Sequence, residues 1–217
     1  MLNQILDALQ PTATRLVAVS KTRLPEDLMR LYEQGQRDFG ENKAQELASK
    51  HEALPKDIRW HMIGHLQSNK VKYIAPFVHL IHAVDSLKIL QEIDKQALRY
   101  DRIIDCLLQF KIALEDTKYG LELSEADAIL QSIDFQEFKN IKIVGVMGMA
   151  TFTDDHDQVR REFQRLKEIF NIIQAKYFSN QPAFKEISMG MSDDYKIAVE
   201  EGSTMVRIGT LLFGPRL

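Results

Sequence analysis

Eight short apolar runs, each separated from the next by a stretch long enough to hold a helix, constrain this chain more than any other feature. The runs fall at 16–20, 38–41, 59–64, 80–84, 106–112, 143–150, 186–191 and 205–212. Amphipathic, helix-like patterns occupy 25–35, 43–53, 67–75, 86–98, 124–136, 156–176 and 193–201 between them. A tight turn can join antiparallel neighbours, whereas parallel neighbours need a long crossover, so connections of this length predict a parallel sheet. About eight strand–helix units in ~200 to 250 residues is the pattern of a closed (β/α)8 TIM barrel. An open doubly wound sheet would want a glycine-rich phosphate turn after the first strand, and Lys21 and Thr22 stand there instead. The expectation is a single α/β domain over 1–217. No helical pattern follows the last run, so a short helix near 2–9 is expected to cover that part of the barrel.

Composition excludes several function classes. The 217 residues are 45% hydrophobic and 27% charged, enough for a sizeable core. A net charge of -3 and a pI near 6.1 leave no basic footprint, which argues against nucleic acid or an anionic membrane as the main partner. Cys106 is the only cysteine, so a disulfide framework or cysteine metal cluster within the chain is ruled out and a buried structural thiol is expected. The first residues lack a basic leader, and no apolar run approaches the ~20 residues that span a bilayer, which predicts a cytoplasmic protein.

Chemistry in such a barrel gathers at the carboxyl ends of the strands. Strand one delivers a single amine, Lys21, after the apolar run Leu16-Val17-Ala18-Val19-Ser20. A free lysine titrates near ~10.4, so an amine meant to attack an aldehyde near neutrality needs desolvation or a cationic neighbour. A solvated lysine closing a strand is the plainer alternative. Ser192 follows the seventh run and Gly209-Thr210 end the eighth, where barrels commonly hold a phosphate on backbone amides and hydroxyls. Ser192 could equally cap the helix after it. If it turns toward an anion instead, Asp193 and Asp194, which would compete with a phosphate for the same helix dipole, have to point to solvent. Arg207, inside Met205-Val206-Arg207-Ile208, is costly to bury without a partner. That partner is either an acid such as Glu186 or a ligand.

An amine, a phosphate cup and a buried arginine together describe a pocket for pyridoxal 5′-phosphate (PLP). The strings VAVSKTR, FGENKAQE, RWHMIGHLQSNK, GVMGMAT, SMGMSDD and EGSTMVRIGTLLFG closely resemble the pyridoxal phosphate homeostasis protein family, over essentially all of 14–214. The resemblance implies a barrel like the N-terminal domain of alanine racemases. It implies further that Lys21 forms an aldimine with PLP, that Arg207 faces the pyridine nitrogen, that Ser192, Gly209 and Thr210 hold the phosphate, and that Asn42 borders the ring. The chain departs from the family pattern in a short segment before Leu16, in Arg23 where lysine is usual, and in Tyr119 where a small residue is usual.

An arginine opposite the ring nitrogen donates but does not accept a proton, which leaves the ring a poor electron sink. Racemases of similar fold compensate with a lysine and a tyrosine on opposite faces, the tyrosine coming from a separate C-terminal domain, and no such domain is expected here. The expectation is therefore a non-catalytic carrier that buffers or delivers PLP, with apo-PLP enzymes as recipients, no metal, and a monomeric state. Lys118 is a candidate acceptor during handover. A PLP-dependent amino-acid racemase is the first alternative, and a cofactor-free lysine-imine aldolase the second. His61 and His65 sit where a strand leaves into a loop, so a pocket wall or satisfied polar core is expected of them rather than a metal site. Met147, Met149, Met189, Met191 and Met205 read as adaptable barrel packing.

Overall fold

The computed structural model describes residues 1–114 and 119–215, and in it the eight runs become eight parallel strands closed in sequential order. They are β1 (Arg15–Val19), β2 (Asp38–Glu41), β3 (Arg59–Met62), β4 (Leu80–Val84), β5 (Ile104–Phe110), β6 (Ile141–Gly148), β7 (Glu186–Ser188) and β8 (Met205–Ile208). β8 pairs in parallel with β1, Arg15 opposite Met205 and Val17 opposite Arg207, which closes the ring. The expected TIM barrel is therefore the observed one.

Around it lie α1 (Leu2–Leu9), α2 (Pro25–Tyr32), α3 (Ala44–Ala53), α4 (Leu87–Arg99), α5 (Leu123–Gln131), α6 (Ile133–Glu137), α7 (His156–Tyr177), α8 (Tyr195–Glu200) and α9 (Thr210–Phe213). The crossover after β3 is a 3-10 segment, Ser68–Tyr73, instead of an α-helix. The helix expected over 124–136 is broken at Ser132, whose extended backbone ends α5 while its hydroxyl accepts from the Phe135 amide at 3.2 Å to start α6. α2 starts with Pro25 in its first turn, where the missing N–H costs nothing, followed by Glu26 and Asp27 at the positive end of the helix dipole.

Two apolar layers result from strand alternation. The larger lies between sheet and helices and contains Phe39, Trp60, Leu90, Phe110, Phe163 and Phe184. The smaller, Val17, Leu80, Ala83, Leu107, Val144, Met147 and Met205, fills the barrel interior. Cys106 is fully buried, and burial pushes its thiol well above the ordinary range, as expected of a structural cysteine. One expectation needs correction, because a short helix, α9, does follow β8. α1 still covers this region: Leu2, Ile5 and Leu9 are buried, and Gln4 and Ala8 line a groove with Tyr195 and Leu211. No helix among the described residues is long and apolar enough to cross a membrane.

Candidate functional site

One cavity of about 240 Å³ opens at the carboxyl end of the barrel, and Lys21, Asn42, Ser192, Arg207, Gly209 and Thr210 all line it. The ends of β1, β2, β7 and β8 thus converge although their residues are spread over most of the chain. Val19, Ile63, Met149, Phe152 and Met191 supply the apolar wall, and Arg23 and Asp193 complete the lining. Met149 and Met191 therefore face the cavity, whereas Met147, Met189 and Met205 are fully buried packing residues.

Lys21 is half-buried and stands just past β1, beside a turn in which Thr22 adopts a positive φ of 65°. That strained conformation is held from outside the barrel. The Thr22 amide donates to Glu46 Oε1 at 2.6 Å, and Lys50 Nζ donates to Ser20 O at 2.7 Å. Lys50 also pairs with Glu41 Oε1 at 2.7 Å and Glu46 Oε1 at 2.8 Å, and the Ser20 hydroxyl donates to Glu41 Oε1 at 2.6 Å. Burial raises the Glu41 carboxyl above its usual range, against the opposing pull of Lys50. Asn42 is positioned by close backbone approach: a Cβ on Gly64 would meet Asn42 O at 2.5 Å, so only glycine lets the end of β3 lie here.

The opposite wall is built differently. Ser192 does not cap α8, whose N-cap position is Asp194; its Oγ accepts from the Gly209 amide at 3.4 Å. A Cβ at Gly209 would meet Val19 O at 3.1 Å, so the missing side chain also allows β8 to lie against β1. Asp193 is exposed, as expected, but Asp194 turns inward and accepts from the Met191 amide at 2.5 Å, so its expected solvent-facing position is corrected. Burial raises the Asp194 carboxyl, partly offset by that amide and by Arg207. Arg23 ties down the segment that follows α9 by donating to Gly214 O and, at 3.0 Å, to Pro215 O.

Arg207 is 3% exposed, and burial lowers its guanidinium to about 10 despite Asp194. Its partner is not Glu186, which pairs with Arg15 at 2.6 Å. Instead Nη1 donates to Ser188 Oγ at 2.6 Å and Nη2 to Gly148 O at 3.0 Å. Ser188 and Gly148 were not singled out by sequence reasoning, although strand alternation places Glu186 and Ser188 on one inward face. Of the two weighed histidines, His61 is a buried, hydrogen-bonded core residue, while His65 is partly exposed, 3.1 Å from Asp85 and stacked on Tyr119. Asp38, His61 and His79 offer donor atoms within 4.8 Å of one another, but Arg59 holds both Asp38 oxygens at 2.8 and 2.5 Å. A guanidinium in that place opposes a cation. Lys118 lies outside the described residues.

Residues 2–216 match the family model described as the alanine racemase N-terminal domain. The pyridoxal phosphate homeostasis protein of Aquifex aeolicus is 37% identical over 99% of this chain and 96% of its own length, and that of Homo sapiens is 38% identical over 97% and 78%. The chain belongs to the pyridoxal phosphate homeostasis protein family. Among solved structures, PipY of Synechococcus elongatus with PLP bound superposes with a TM-score of 0.85 at 30% identity, covering 99% of this chain and 100% of PipY. Alanine racemase from Bartonella henselae, 16% identical with a TM-score of 0.69, shares the fold over 57% of its length.

Proposed function

We propose that this chain, as one domain over 1–217, holds PLP on the Lys21 amine and serves PLP homeostasis by buffering or delivering the cofactor. The carrying observation is that six residues from four strand ends line one cavity, in a chain whose relative PipY covers its full length and has been solved with PLP bound. The residues present fit such a ligand. Lys21 supplies an amine at the end of β1, Arg207 a buried cation beside it, Asn42 a half-buried amide at the ring's edge, and Ser192, Gly209 and Thr210 hydroxyls and backbone amides for a phosphate. When bound, the cofactor's aldehyde supplies reversible imine formation with an amine.

The non-catalytic form of this reading rests on the cavity lining. No tyrosine, histidine or cysteine lines it among the described residues, and its one carboxylate, Asp193, is exposed. Proton delivery to a face opposite Lys21 then has no candidate group. In its full form, the protein is a monomeric cytoplasmic carrier whose recipients are apo-PLP enzymes. Borohydride trapping followed by peptide mapping is expected to label Lys21, and Lys21→Ala is expected to abolish the visible imine absorbance on titration with PLP. Label at another residue, or none, overturns the site. Amino acids incubated with the loaded protein in deuterated solvent are expected to keep their α-protons; exchange would favour the racemase alternative.

A further inference from the structure

A continuous chain of hydrogen bonds crosses the barrel interior and ends on Arg207. It begins at the amino end, where Arg59 donates through Nε and Nη2 to the two oxygens of Asp38. Asp38 Oδ1 lies 3.0 Å from His61 Nε2, and His61 Nδ1 lies 2.9 Å from His82 Nε2. His82 Nδ1 lies 2.9 Å from Ser188 Oγ, which accepts from Arg207 Nη1 at 2.6 Å. The links come from β2, β3, β4, β7 and β8, and His61, His82 and Ser188 are fully buried.

The two ends dictate the direction of every bond between them. A guanidinium only donates and an ionised carboxylate only accepts. Ser188 Oγ must therefore accept from Arg207, and its own proton is available to His82 Nδ1. His61 Nε2 must donate to Asp38, so neutral His61 presents a lone pair at Nδ1, and His82 Nε2–H donates to it. Each atom then has a complementary partner. Reversing the middle of the chain would leave the Ser188 proton without an acceptor and set a His61 lone pair against an Asp38 lone pair. An imidazolium in either place would avoid that clash only by placing a cation in the core near Arg15, Arg59 and Arg207. Burial lowers both rings, which agrees with neutrality. Asp38 stays ionised because the hydrogen bonds from Arg59 and His61 outweigh burial.

We propose that Ser188, His82, His61 and Asp38 are positioning residues that orient Arg207 toward the cavity, with both histidines held as neutral Nε2–H tautomers. The inference rests on the reading of Arg207 as the group that faces bound PLP. Two of the five guanidinium donors are committed below the cavity floor, to Ser188 and Gly148, which fixes the plane of the group.

Nitrogen-15 NMR of the cofactor-free wild type, with the imidazole signals assigned, tests the direction of the chain. At neutral pH, His61 and His82 are both expected to be protonated at Nε2 alone; an Nδ1–H tautomer or an imidazolium at either overturns the proposal. PLP titrations test its consequence. Ser188→Ala and His82→Phe are expected to bind about tenfold more weakly, with a shifted visible absorbance maximum, as one charged hydrogen bond is lost or left unsupported. Ser188→Thr keeps a hydroxyl and His82→Gln keeps an acceptor and a donor, so both are expected to recover the wild-type spectrum. An unchanged spectrum in the truncated variants, or folded conservative variants no better than the truncated ones, overturns the positioning role. Failure of borohydride to label Lys21 would remove the reading of the pocket, while the tautomer measurement would still decide the chain of hydrogen bonds.

Discussion

The pocket is supported by two polar networks that solve different problems. Behind β1, in the layer between sheet and helices, Lys50, Glu41 and Glu46 bring full charges together at 2.7 and 2.8 Å to hold the turn that carries Lys21. Inside the barrel, His61, His82 and Ser188 pass hydrogen bonds through neutral groups to hold Arg207. The first network is incomplete, since Glu41 Oε2 is buried with no hydrogen-bond partner among the described residues. The second uses every facing nitrogen and oxygen. Opposite charges tolerate an imperfect geometry because attraction falls off slowly with distance, whereas a neutral relay holds only if each donor meets an acceptor. A backbone turn needs force; a guanidinium plane needs direction.

Lys50→Met should break the comparison on the side of charge and produce the largest effect. It leaves Glu41 buried without its cation, and urea unfolding should show a loss of about 3–5 kcal/mol. A loss below ~1 kcal/mol would mean that the pair acts as an ordinary surface bridge. Next comes Gly64→Ala, whose Cβ would sit 2.5 Å from Asn42 O. It should cost about 1–3 kcal/mol and weaken PLP binding as Asn42 is displaced; full retention of both would show that the β3 end can move.

Acid separates the networks by sign. Burial lowers His61, His79 and His82, with His79 down to about 4, so the unfolded chain binds more protons than the folded one below the unfolded pKa of ~6.5. Their contribution is complete above ~6.5 and is lost as the pH falls. Glu41, raised by burial, works the other way and favours the folded state as it takes up a proton. Asp194 and Asp105, also raised by burial, side with Glu41, while His51 and the lowered Asp38 and Glu46 side with the three histidines and together outweigh them. The urea midpoint should therefore fall as the pH drops from ~6.5 toward about 4. A flat or rising midpoint would show that the relay is not neutral. The smallest effect is expected at Cys106: its raised thiol and full burial should leave it inert to thiol reagents at neutral pH until the protein unfolds, and rapid native-state labelling would contradict the packing.

Much of the lining of the candidate site was legible because barrel chemistry collects at strand ends, and strand ends are marked by where apolar runs stop. Lys21, Ser192, Gly209 and Thr210 could be named on that ground, and Asn42 through the family's motif. Less visible were contacts that depend on which residues meet across the barrel. Arg207 called for a partner, and Glu186 was the nearest acid on an adjacent strand; Arg15, two residues before Val17 on β1, takes it instead. The inward turn of Asp194 was equally hidden, since neighbouring aspartates look alike in sequence and only the position of the Met191 amide tells them apart.

The sequence alone pointed to the barrel, because eight apolar runs with crossover-length connections require parallel pairing and Lys21-Thr22 stand where an open doubly wound sheet would want its glycine-rich turn, and local periodicity is a property of neighbours along the chain. Only the tertiary structure decided which polar side chains complete one another. His61, His82, Ser188 and Arg207 stand on four strands, up to 146 positions apart (207 − 61), and their hydrogen bonds exist only when the closed ring brings those strands together.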